Sequence, residues 1–123
     1  MRTVRRRTGR RDLRPLRRAG LAGALTTSQL DELAADTDVV RVDAGMSLAR
    51  RGSVAREFLA LIDGEVDVIG PADRVRRAGP GLHVGATELL NRTPHETTVV
   101  TASECTLVVV LGRAYNAAFT GQL

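Results

Sequence analysis

From Val39 onward, glycines cut the chain into apolar runs too short for helices and spaced like strands. Gly45, Gly52, Gly64, Gly79, Gly81 and Gly85 mark the breaks, with Gly70-Pro71 and Gly79-Pro80-Gly81 as further stops. Val40 and Val42 alternate with Arg41 and Asp43, the pattern of a strand buried on one face. Met46 and Leu48 lead to Arg51-Gly52, and Phe58-Leu59-Ala60-Leu61-Ile62 is continuous, as in a strand covered on both faces. Asp63-Gly64 predicts a hairpin, after which Val66 and Val68 alternate with Glu65 and Asp67. Val99-Val100 and the run Cys105 to Leu111 supply two more strands, the latter expected to turn Cys105, Leu107, Val109 and Leu111 inward. Turn signals about every 6 to 12 residues predict a mainly β fold. The expected architecture is an antiparallel β-roll, jelly-roll-like, of about eight strands with flanking N- and C-terminal helices.

The first helix start is written at Leu25-Thr26-Thr27-Ser28-Gln29-Leu30. Thr26 can cap the first free amides while Gln29 reaches back to it, and Leu25 and Leu30 form a hydrophobic staple. Leu30, Leu33 and Ala34 continue one apolar face, which fades at Thr37-Asp38. A closing helix after Gly112 is built on Tyr115, Ala118 and Phe119.

At 123 residues the chain holds one core. Its net charge of +4 hides a division. All 18 basic residues are arginine, and nine lie in the first 18 positions beside a single acid, Asp12, a local charge of +8. The remaining nine arginines face thirteen acidic residues, so residues 19–123 carry −4. Residues 1–18 therefore read as a disordered, solvated tail and 19–123 as the folded domain. Contact with nucleic acid or an acidic partner is expected only through the Arg2–Arg18 tail. Phe58, Tyr115 and Phe119 are the only aromatic rings, too few for a base-stacking platform. The stretch Ala19 to Leu25 follows the arginines but is too short and glycine-broken to serve as a secretory signal. No apolar run approaches the roughly 20 residues of a membrane span. The lone Cys105 cannot form an internal disulfide, which fits a reducing compartment and a cytoplasmic location.

The glycine register carries a family resemblance. Gly45 and Gly52 are followed by Phe58-Leu59-Ala60-Leu61-Ile62-Asp63-Gly64-Glu65-Val66, then Gly79-Pro80-Gly81, then Gly85 opening a Leu-Leu segment. This resembles the cyclic nucleotide-binding domain, the β-roll of catabolite-activator-type regulators, kinase regulatory subunits and gated channels, in a stand-alone form. The resemblance runs from about Leu21 to Phe119.

In that family one cassette reads Phe-Gly-Glu, two residues, Leu-Leu, three residues, Pro-Arg, one residue, Ala-Thr-Val. Its amides and arginine receive the cyclic phosphate, and its carboxylate accepts the ribose 2′-hydroxyl. Here the window runs from Val84 to Val99, and the resemblance implies nucleotide-facing roles for Gly85, Ala86, Thr87, Leu89, Leu90, Arg92, His95, Glu96, Thr97 and Thr98. Gly85, Leu89, Leu90, Pro94, Thr98 and Val99 keep the pattern. Ala86 stands where the carboxylate belongs and His95 where the arginine belongs, while Glu96 adds a negative charge beside it. The expected function is a regulatory or interaction module with weak or lost nucleotide binding.

Two other readings stay open. The chain could be a working sensor for cAMP, cGMP or another small anion, with Arg92 turned toward the pocket. Alternatively, the arginine tail could tether it to nucleic acid or an acidic partner. Glu88 replaces the missing carboxylate only if its helix rotates by two positions. His83, Glu88 and His95 lack the paired-histidine spacing of a metal site, and no serine or cysteine has a His-carboxylate partner at motif spacing. The chain is therefore read as having no catalytic residues, no metal and no required cofactor. After Gly112 only 11 residues remain, fewer than a dimerisation helix and a DNA-reading motif need. Output is expected through an unidentified protein partner or self-association.

Overall fold

Strand β9 (Cys105–Leu111) organises the molecule, because both of its faces are buried. A computed structural model describes the backbone of residues 3–7 and all of residues 12–120. Among these are eight further strands: β1 (Thr3–Arg7), β2 (Thr37–Val42), β3 (Ser47–Ala49), β4 (Glu57–Asp63), β5 (Val66–Ile69), β6 (Val75–Ala78), β7 (His83–Val84) and β8 (Thr98–Thr101). They form two antiparallel sheets, ordered β1-β2-β9-β4-β7 and β3-β8-β5-β6. The helices are α1 (Arg14–Arg18), α2 (Thr27–Ala34), α3 (Ala86–Asn91) and α4 (Gly112–Thr120). The mainly β roll with terminal helices is the fold the glycine spacing predicts.

Cys105, Leu107 and Val109 point between the sheets, against Val40, Leu59, Leu61, Val66 and Val68. Val108 and Val110 face the other way and join Phe58 and Ala60 beneath a helical layer of Leu16, Leu30, Leu33 and Tyr115. Leu111, expected to face inward, is only half-buried. The Cys105 sulfur lies 3.4 Å from the Glu65 and Ser103 carbonyl oxygens. Burial pushes its thiol pKa up, so it stays protonated as core packing.

The predicted capping box is present: the Gln29 amide donates to Thr26 Oγ1 at 3.1 Å, and the Thr26 amide donates to Gln29 Oε1 at 2.9 Å. Thr26→Ala should lower stability by about 1 kcal/mol, read as a shift in denaturation midpoint at constant slope. The fading of the pattern at Thr37-Asp38 marks the start of β2. Thr37 is fully buried because its hydroxyl donates to the Leu33 carbonyl at 2.7 Å, satisfying the helix end.

Two expectations are corrected. Asp63-Gly64 does not close a hairpin: β4 pairs with β9 and β7, whereas β5 pairs with β8 and β6. The chain changes sheets there, beside the corner where β8 passes to β9. The two corners are tied by the Ala102 amide to Glu65 O at 2.8 Å and the Glu65 amide to Ser103 Oγ at 3.0 Å. The second correction concerns the tail. Residues 14–18 form α1, with Leu16 fully buried and Pro15 buried, while Arg14, Arg17 and Arg18 stay exposed. One apolar side suffices to seat a short helix whose arginines remain in water. Thr3–Arg7 pairs antiparallel with β2, Thr3 opposite Val42 and Arg7 opposite Asp38. Residues 1–2 and 8–11, including Arg2, Arg10 and Arg11 of the expected tether, lie outside the described residues.

Candidate functional site

The cassette begins where β7, paired to β4 through Val84–Leu59 and His83–Ala60, delivers the chain to Gly85. Gly85 has φ +90°, and a Cβ there would sit 2.5 Å from the Glu57 carbonyl oxygen. Only glycine fits both constraints. The turn launches α3, whose first amides, Ala86 to Glu88, have no acceptor within the helix and no side-chain cap. Leu89 anchors the helix by burial in the helical core. Its amide donates to Gly85 O at 2.9 Å, and its carbonyl accepts from Asn116 Nδ2 of α4 at 3.0 Å.

Beyond α3, Pro94 bridges Val54, and His95 is clamped to the same loop. Its amide donates to Ser53 O and its carbonyl accepts from the Gly52 amide, both at 2.9 Å. These bonds fix the backbone on which the His95 ring stands.

A cavity of about 280 Å³ opens between α3, β5, β6 and β8. Gly85, Ala86, Thr87, His95 and Thr97 line it, so five of the ten cassette candidates are brought together. The other five are not on its wall. Leu89 is core, Leu90 is 40% exposed, and Arg92 and Glu96 are exposed. The Thr98 hydroxyl accepts from the Arg51 amide at 3.1 Å. Arg92 caps the C-terminal end of α3 in the left-handed region, φ 58°, with its amide donating to the Glu88 carbonyl. Glu88 reaches the cavity wall without any rotation of α3, because the third helical position here already faces inward.

The one charged wall residue that the sequence reading did not consider is Arg76, which stands there with Val68. Arg76 pairs opposite Val68 on the inner face of the second sheet, whereas its neighbour Arg77 lies opposite Asp67 on the outer face. Arg77 Nε is 2.7 Å from Asp67 Oδ1, and Arg76 makes no ion pair among the described residues. The signal was available in the alternation of Val75-Arg76-Arg77-Ala78, but only once β6 is registered against β5. His83 also reaches the wall, with Nε2 2.8 Å from the Ala19 carbonyl and its ring edge-on to Phe58 at 5.0 Å. Among the described residues no group of three or more His, Cys, Asp or Glu could hold a metal ion.

The wall thus offers open amides, a threonine pair, one arginine and the His95 imidazole against one carboxylate, the His83 ring being turned to the Ala19 carbonyl. Such an arrangement suits a small anion with an attached apolar or ring portion, the ring lying on Val68, Leu82 and Val99.

The sequence model of the cyclic nucleotide-binding domain matches residues 39–120. The chain is similar in fold to the sensor domain of the transcriptional regulator DNR from Pseudomonas aeruginosa, at 24% identity and TM-score 0.70, covering 80% of this chain and 73% of that one. It is likewise similar to a variant regulatory subunit of a cAMP-independent protein kinase A from Trypanosoma brucei, bound to cAMP in the A site. That likeness has 21% identity, TM-score 0.76, and 90% and 43% coverage of the two chains. A variant of the cAMP-binding acyltransferase from Mycobacterium smegmatis is similar at 30% identity and TM-score 0.63, over 80% of this chain and 34% of that chain. This chain spans less than half the length of the last two. No curated protein matches it.

Proposed function

This chain belongs to the cyclic nucleotide-binding domain family, and from that premise we propose that it is a non-enzymatic regulatory or interaction module whose nucleotide cavity binds cAMP or cGMP only weakly. One observation carries the reading: Ala86 and His95 both stand on the cavity wall, where the family cassette implies a carboxylate and an arginine. The loss of a desolvated arginine–phosphate pair costs about 2–5 kcal/mol. The missing ribose acceptor adds about 1–3 kcal/mol. The cavity's shape survives this loss, because Gly85, Leu89 and the His95 clamp fix its backbone independently of any ligand. A domain that keeps its frame while losing ligand affinity can still present a surface to a protein partner. Among the described residues no helix is long and apolar enough to cross a membrane.

Arg76 favours a second reading, a small-anion sensor in which the neutralising charge comes from β6 instead of the cassette. The two readings separate in a calorimetric titration of the full chain with cAMP, with cGMP and with an acyclic nucleoside monophosphate. A weak module shows dissociation constants above about 100 μM for all three, equivalent to a binding free energy near −5.5 kcal/mol. A sensor built on Arg76 binds at least one of them in the low micromolar range and loses about tenfold or more in Arg76→Ala.

A further inference from the structure

A second cavity, of about 310 Å³, lies outside the cassette space and shares with it only His95. It is bounded by β3, the loop after it and the start of β4. Its floor is the buried pair Ala49 and Leu59, and its rim carries Arg50, Arg56, Glu57 and His95. Across residues 19–123, whose net charge is −4, a space that gathers two arginines and a histidine around one carboxylate runs against the prevailing sign. Neither the Arg50 nor the Arg56 side chain makes an ion pair or hydrogen bond among the described residues. The banks are rigid as well: the paired backbone bonds from His95 to Gly52 and Ser53 lock the loop that carries Arg50 to the strand entry that carries His95.

We propose that this cavity binds a small dianionic oxyanion, of the phosphate or phosphomonoester class, between Arg50, Arg56 and His95. Two guanidinium groups supply planar donor forks matched to tetrahedral oxyanions. Because the banks are locked before any ligand arrives, little ordering opposes binding. The site is independent of the cassette and does not require that cyclic nucleotides bind there.

The chain's two histidines give the test an internal control, since His95 borders this cavity whereas the His83 ring lies against the Ala19 carbonyl and Phe58, away from it. Inorganic phosphate is titrated into the full chain at constant ionic strength, following both imidazole rings by NMR. The proposal predicts a saturable change in the His95 ring resonances, while those of His83 stay still. Arg50→Ala and Arg56→Ala should each weaken the response about fivefold or more, and the double variant should abolish it. Both positions are exposed, so the fold should survive. Arg56→Lys, which keeps the charge, should retain part of the affinity. The proposal is overturned if His83 and His95 shift together, which would show a response not confined to this cavity. It is equally overturned if the double variant responds like the parent, or if no saturation occurs by about 20 mM phosphate, near a binding free energy of −2.3 kcal/mol.

Discussion

Gly64→Val should lower the unfolding free energy by about 2–5 kcal/mol, a large share of a small domain's stability. Gly64 has φ +98°, where a side chain costs about 1–2 kcal/mol. A Cβ would also strike the Glu104 carbonyl oxygen and approach Cys105 Sγ at 2.7 Å and Cys105 Cα at 2.9 Å. Backbone cannot yield as a flexible side chain can, and forcing extra atoms into such a place adds about 1–3 kcal/mol. Since both sheet-crossing corners meet at this point, the strain is placed on β8–β9 as well as on β4–β5. Urea denaturation measures it. A midpoint within error of the parent would mean that the corners do not touch.

The second large effect is a gain. Ala86→Glu with His95→Arg should tighten cAMP binding at least about tenfold, the arginine contributing the larger share because it neutralises a desolvated charge. Both substituted positions already face the cavity, and a glutamate in the first turn of α3 is favourable in itself. The structure changes which carboxylate should be removed next. Glu96 is exposed and off the wall, so its charge is screened by solvent. Glu88 lies on the wall, so adding Glu88→Gln to the pair should tighten binding further, and adding Glu96→Ser should do little. Calorimetry reads all four proteins. If the folded double variant binds no better than the parent, the cassette backbone is not in binding geometry.

The mainly β architecture was legible because its strands are apolar runs separated by residues that only turns use. Phe58–Ile62 and Cys105–Leu111 read correctly as strands because burial on both faces leaves a continuous apolar run. β6 and α1 were not legible for the opposite reason. Val75-Arg76-Arg77-Ala78 is exposed over most of its length, so its pairing with β5 leaves little hydrophobic pattern. Leu16 is one buried residue among arginines, too little for periodicity to show. Asp63-Gly64 announced a turn with positive φ, and local sequence cannot distinguish a hairpin from a crossing between sheets. The same limit applies to the site. The cassette spacing located Gly85, Ala86, Thr87, His95 and Thr97, all contributed by one segment, whereas Arg76 arrives from another strand through tertiary pairing.

If the cavity retains its frame without the two charged contacts, titration of cAMP into the unmodified full chain reads the affinity that is left. The expected dissociation constant is no tighter than about 100 μM, a free energy near −5.5 kcal/mol. Binding at about 1 μM, near −8.2 kcal/mol, would contradict it, since Ala86 and His95 would then be compensated in full by other wall groups.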